Sequence, residues 1–277
     1  MAKLIPSELT DEVVSRYRDC PDPRLKQIME SLVRHLHSFA REVSLTEAEW
    51  LKGVEFLTRV GQISSDTRQE FILLSDVLGL ETAVVDINHG AETAETEATL
   101  QGPFYVEGAP ELPSGAMVHG DPAGEPLEVK GTIHDAGGKP IAGALIDVWQ
   151  AGDDGLYSGQ DPAKAKYELR GKFRSDTDGF YHFRSVLPKG YEIPTDGPVG
   201  ELMRATNRAT WRPAHLHFRV SAEGFKPLTT HIFVKGAPHI DEDAVFGVKP
   251  SLIEEFRRKP GGEGYALTYD FGLRPSA

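Results

Sequence analysis

Apolar residues recur every three or four positions up to about Gly90 and every two positions beyond about residue 115, so this chain has to build helices first and sheet afterwards. In "PDPRLKQIMESLVRHLHSFAREV", Leu25, Ile28, Leu32, Leu36, Phe39 and Val43 fall on one helical face, with Asp22 placed to cap and Pro23 to open the first turn. Thr46 with Glu49, and Thr67 with Glu70, have the spacing of capping boxes and predict two more helix starts. "LETAVVDINHG" predicts a further short helix ending at Gly90, and the acidic stretch after it predicts a loop in which Glu92, Glu95 and Glu97 are solvated. Beyond it, "LEVKGTIHD", "AGALIDVWQA", "FYHFRSV", "PAHLHFRV" and "LTTHIFVKG" alternate between glycine-rich turns, as antiparallel strands do. The expectation is a mixed α and β chain: a helical domain over residues 1–95 and an antiparallel β-sandwich domain over residues 96–277 that carries the chemistry.

At 277 residues the core is ample without cross-links, and Cys20, the single cysteine, excludes both internal disulfides and a cysteine-based zinc cluster. With 42 acidic against 30 basic residues, the net charge of -12 argues against a nucleic-acid groove. The start "MAKLIPSELTDEVV" lacks a leader's apolar core and no apolar run reaches membrane-spanning length, so a soluble, cytoplasmic protein without membrane insertion is expected.

The stretch "TWRPAHLHFRV" concentrates the chemistry. On a strand, His215, His217 and Arg219 share one face while Leu216, Phe218 and Val220 share the other, so the two imidazoles converge. "RHLHSFA" also spaces His35 and His37 two apart, but on a helix they point to nearly opposite sides. Only the later pair can grip one ion. A third ligand could be a carboxylate, as in two-histidine, one-carboxylate iron sites, a third histidine, as in zinc hydrolases, or tyrosine, whose phenolate is a hard anionic donor suited to a trivalent cation. Tyr181, beside a turn and alternating with Phe183, reads as packing, and Tyr17, Tyr105, Tyr167, Tyr265 and Tyr269 lie in no comparable motif.

"LYSG" at Tyr157, "GYEIPTDGPVG" at Tyr191 and "WRPAHLHF" with Arg212, His215 and His217 resemble, in order and spacing, the iron-binding motifs of the intradiol ring-cleaving dioxygenases. The resemblance also runs through "RQEFILLSDVLGL", "LQGPFYVEGAP", "GKPIAGALIDVWQA" and "SDTDGFYHFRSVLP", and is closest to the catechol and hydroxyquinol branch. It implies a non-haem Fe(III) held by Tyr157 and His217 equatorially and by Tyr191 and His215 axially, with Tyr191 dissociating to take a substrate proton. It implies an aromatic diol or triol and O2 as substrates, and ring opening between the hydroxylated carbons.

The same resemblance makes Arg212 the group that stabilises developing negative charge, and it lines the ring pocket with Leu73, Asp76, Leu100, Gly102, Pro103, Phe104, Ile193, Pro194, Arg212 and Val245. His231 in "PLTTHIFV" stands where catechol-cleaving relatives generally carry glutamine, and the hydroxyquinol-cleaving ones are similar to this chain there. Asp76 beside an apolar ring pocket suits a third substrate hydroxyl. Together they point to hydroxyquinol (benzene-1,2,4-triol) cleaved to maleylacetate, with catechol or a chlorocatechol as the alternative. The resemblance further implies a homodimer through the N-terminal helices, whose stripe nothing else in the chain covers, with a phospholipid trapped between them. Two other readings compete: a transthyretin-like binding module, which explains the strands but not four ligands, and a zinc hydrolase, for which no carboxylate motif accompanies the histidines.

Overall fold

The structure is a computed structural model that describes residues 7–89, 95–120 and 122–276, so Gly90 and Glu92 lie outside the described residues. The chain divides between Arg59 and Val60 into two compact units. The expected boundary at 95/96 therefore falls inside the second unit.

The first unit holds α1 (Ser7–Ser15), α2 (Pro23–Glu42) and most of α3 (Glu47–Ile63). Asp22 caps α2 as its sequence predicts, its carboxylate accepting from the backbone N–H groups of Arg24 and Leu25 at 2.8 and 3.1 Å. The box at α3 is reciprocal: Thr46 N donates to Glu49 Oε2 at 2.9 Å, and Glu49 N to Thr46 Oγ1 at 3.3 Å. Along α2 only Val33 is buried; Leu25, Ile28, Leu32, Leu36 and Phe39 stay about half exposed, at 46–54%. His35 and His37 go separate ways, with Nδ1 of one on the Ser31 carbonyl and of the other on Thr10 Oγ1, each at 2.9 Å.

The second unit opens with α4 (Glu70–Val77) and α5 (Leu80–Asn88). The expected box between Thr67 and Glu70 does not form. The N-cap is Gln69, without a side-chain cap. Glu70 is instead buried, accepting from Arg68 Nη2 at 3.2 Å and from the backbone N–H of Val199 at 3.1 Å. Val199 belongs to α6 (Pro198–Ala205), a helix that the strand-like texture of this half does not announce.

The strands are β1 (Pro126–Asp135), β2 (Leu145–Trp149), β3 (Arg170–Arg174), β4 (Phe180–Val186), β5 (Tyr191–Glu192), β6 (Trp211–Arg212), β7 (His215–Ser221), β8 (Leu228–Val234), β9 (Ile253–Glu254), β10 (Arg257–Arg258), β11 (Tyr265–Thr268) and β12 (Phe271–Leu273). One sheet runs β10-β11-β1-β12 with β4 on the other edge of β1, a second runs β3-β2-β7-β8-β9, and β5 and β6 form a separate ribbon. The five strands read from alternation are all present. The sheets are mixed rather than purely antiparallel, because β11 and β12 both pair parallel with β1, and β9 with β8. β1 serves two partners along one edge because Gly131 lets the chain between them pass close: a Cβ there would lie 1.7 Å from the Tyr269 carbonyl oxygen.

The two sheets share one apolar core. Leu216, Phe218 and Val220 of β7 enter it, and Phe173 stacks on Phe183 at 4.9 Å from sheet to sheet. His215 and His217 occupy the opposite face of β7, and that face is buried too. No helix among the described residues is long and apolar enough to cross a membrane.

Candidate active site

Strand register places the first donors. Trp149 on β2, His217 on β7 and His231 on β8 lie directly opposite one another. The Trp149 ring stacks on His217 with centroids 4.6 Å apart and planes at 15°, which fixes the imidazole plane. The β5–β6 ribbon pairs Tyr191 with Arg212, and Tyr157 comes from the loop after β2, stacked on Phe104 at 4.6 Å.

Four buried side-chain donors meet here. Tyr157 Oη lies 2.9 Å from His217 Nε2 and 3.4 Å from Tyr191 Oη, and His215 Nε2 is 3.1 Å from His217 Nε2. His215 Nδ1 sits 2.7 Å from the Pro213 carbonyl, which can only accept, so Nδ1 carries the proton and Nε2 turns its lone pair to the cluster. Burial and then Arg212 lower the His215 pKa to about 3. Burial, followed by its histidine neighbours, holds His217 well below its ordinary value, and burial with Arg212 does so for His231. All three are neutral at pH 7. Burial, then Tyr191, pushes the Tyr157 phenol well above 10, so without a cation it keeps its proton.

These residues fit a metal ion. Donors about 2 Å from one ion stand about 3 Å apart, as these do, and two neutral imidazoles with two ionisable phenols form a hard, anionic set once a cation takes the phenol protons. His231 also lies within reach, its donor atom within 4.8 Å of those of His215 and His217. Its Nδ1, however, faces Arg212 Nη2 at 3.3 Å.

Arg212 is held by a residue that sequence reasoning missed. Its Nε donates to Asp243 Oδ1 at 3.0 Å in a pair that is nearly inaccessible to solvent. Asp243 Oδ2 also accepts from the Gly247 backbone at 2.9 Å. Burial alone would lower the Arg212 pKa, but Asp243 and then Tyr191 outweigh it and hold the guanidinium above its ordinary value. Its Nη1 is thereby aimed at Tyr191 Oη (3.4 Å) and His215 Nε2 (3.3 Å). Asp243 is the third acid in "DEDAVFG", and nothing in that run distinguishes it from its neighbours.

A cleft of about 750 Å³ opens onto this cluster, lined by Leu73, Pro103, Phe104, Tyr191, Ile193 and Pro194 among others. Arg68, also on the lining, donates to both Asp196 carboxylate oxygens at 2.8 Å. The other expected pocket residues, Asp76, Leu100, Gly102, Arg212 and Val245, do not line this cleft. Leu100 packs beside the Arg212–Asp243 pair at Gly247, Val245 turns its N–H toward Asp243, and Gly102 lies against His217. Asp76 is fully buried beside the Glu81 carboxyl. Burial, then the Glu81 carboxyl, raises its pKa to about 9, so it is protonated at neutral pH.

The family described as "Dioxygenase" matches residues 100–275, and that described as "Catechol dioxygenase N terminus" matches residues 22–96. The chain is 51% identical over 268 residues, 97% of each chain, to the 6-chlorohydroxyquinol 1,2-dioxygenase of Cupriavidus pinatubonensis. It is also 51% identical, over 90% of this chain and 84% of the other, to the hydroxyquinol 1,2-dioxygenase of a Rhizobium species. The crystal structure of hydroxyquinol 1,2-dioxygenase from Pseudomonas putida superposes with a TM-score of 0.87 at 46% identity, covering 98% of both chains.

Proposed function

The chain belongs to the intradiol ring-cleaving dioxygenases, and on that premise we propose that it opens hydroxyquinol to maleylacetate at an Fe(III) held by Tyr157, Tyr191, His215 and His217. The observation that carries this reading is the buried donor set itself, two phenols and two neutral imidazoles with a locked guanidinium beside them. Neither a binding module nor a zinc hydrolase calls for two phenols among its donors. A ferric ion bound there supplies the Lewis acidity that draws a diol to it and prepares the ring for O2.

The chain's own residues do the rest. Tyr191, which lines the cleft, is the residue we assign to accept a proton from an entering hydroxyl once a cation has displaced its own. Arg212, fixed by Asp243, keeps a cation where negative charge develops on the reacting oxygens. His231, neutral, takes a hydrogen bond from Arg212 and so fixes that guanidinium from its other side. Leu73, Pro103, Phe104, Ile193 and Pro194 present an apolar wall to the ring. Asp76, kept protonated beside the Glu81 carboxyl and three residues from the cleft-lining Leu73 on the same helix, is the residue we assign to a third hydroxyl.

The exposed stripe of α2, in the expected helical domain over residues 1–95, is the surface we assign to a homodimer, with a phospholipid between the helices as a further occupant. The lone cysteine and a small-molecule substrate suit a cytoplasmic enzyme. Oxygen uptake by one iron-replete sample offered hydroxyquinol, catechol and chlorocatechols tests the substrate. Hydroxyquinol is expected to give the highest kcat/KM. A tenfold advantage for catechol, about 1.4 kcal/mol, would remove the narrower assignment and leave the ring-cleaving chemistry standing.

A further inference from the structure

Two buried guanidinium groups flank the donor cluster, and only one is neutralised. Asp243 answers Arg212. Arg170 on β3 is just 2% exposed, donates from Nε to Ser158 Oγ at 2.9 Å, and has no hydrogen-bond partner at either terminal nitrogen among the described residues. The carboxylate that acts on it, Asp147, is already engaged by Tyr105 Oη at 3.0 Å and Lys172 Nζ at 3.6 Å. A cation buried without a counter-charge is costly, and replacing it with an apolar side chain of similar size is often harmless.

The guanidinium carbon of Arg170 stands 6.0 Å from the centroid of the Tyr157 ring. Tyr157 supplies a negative charge only when its oxygen has given up its proton, the form in which a phenol serves as a metal donor. Ser158, adjacent to Tyr157 in the chain, ties the guanidinium to the same loop.

We infer that Arg170 is a positioning residue for Tyr157, a fixed cation that stabilises the phenolate form of this one ligand and sets the energy of its donor electrons. The inference rests on the ferric reading above. It makes the two phenol donors unequal, since Arg212 acts on both of them while Arg170 stands over the ring of Tyr157.

The test is the visible spectrum of the protein loaded with Fe(III), alongside the melting temperature of the metal-free form. In Arg170→Met the phenolate-to-iron band moves to longer wavelength, because without the cation over the ring the donor electrons of the Tyr157 phenolate lie higher in energy. Arg170→Lys, which keeps the charge, stays nearer the wild type. The metal-free Arg170→Met protein melts no lower than wild type, since the cation lacks a counter-charge there. Should Arg170→Met fail to fold, Ser158→Ala carries the test, since it frees the guanidinium from its anchor and shifts the band the same way by less. Bands that coincide with wild type in every folded variant, with only melting temperature altered, would make Arg170 structural and overturn the inference. A wild type that binds Fe(III) without any such band removes the ferric reading and this inference with it.

Discussion

The helices before Arg59 and the sheets after it break the usual inside–outside rule in opposite directions. On α2 the apolar side chains face outward, with Leu36 at 54% exposure, and the helix buries only Val33. Behind β7 the polar side chains are inside: His215, His217, Arg212 and Asp243 are all at 8% exposure or less. The same spacing of two histidines appears in both regions, yet His35 and His37 find separate partners while His215 and His217 point at one spot. On the proposed reading a cation would complete one region and an apolar surface the other, so changes in the two should have unlike consequences.

The largest effects belong to the donors. His217→Ala should lose the metal, and Tyr191→Phe should cost about three orders of magnitude in kcat, whereas His35→Ala and His37→Ala should leave metal content and turnover at wild-type levels. Metal analysis and oxygen uptake on all four variants would break the contrast if the helix pair mattered as much as the strand pair. Next comes Arg212→Lys, which keeps the charge but loses the fork that reaches Asp243, Tyr191 and His215 together. It should fold, hold iron and turn over about a hundredfold more slowly. Lost thermal stability with normal turnover per iron would make Arg212 merely structural.

Asp76 tests the buried region through pH. Its folded pKa of about 9 lies far above the ordinary carboxyl value of about 4, so between these the folded state holds a proton that the unfolded chain has released. Stability therefore falls as pH rises through that window, and Asp76→Asn removes the dependence. In denaturant titrations the variant should gain on wild type by about 1 kcal/mol per pH unit between pH ~6 and ~8. Parallel curves would mean that Asp76 ionises freely. The smallest effect on chemistry is expected from the other region. Leu32→Glu with Leu36→Glu should turn a dimer into monomer by light scattering while turnover per iron stays within about twofold. A wild type that is monomeric at micromolar concentration would remove the partner surface.

Legibility in the sequence followed the locality of the signal. β7 was readable because alternation assigns its two faces residue by residue, and α2 because period and cap agree. The parallel partners of β1 were not, since β11 and β12 are short and their pairing depends on Gly131 admitting the Tyr269 carbonyl from far along the chain. Thr67 and Glu70 have the spacing of a cap, but a local ion pair with Arg68 and the distant Val199 N–H claim the carboxylate first. The four donors came from motif resemblance joined to strand geometry. Asp243 and Arg170 escaped because their roles consist of what lies beside them in space, and neither sits in a motif.

The most direct measurement of the central claim is the visible absorption spectrum of the purified protein, taken with its iron content. Two phenol oxygens converging with two neutral imidazoles predict one Fe(III) per chain and a broad phenolate-to-iron band that colours the protein red to burgundy, changing on anaerobic addition of hydroxyquinol. A colourless, iron-free protein that still consumes oxygen with hydroxyquinol would contradict it.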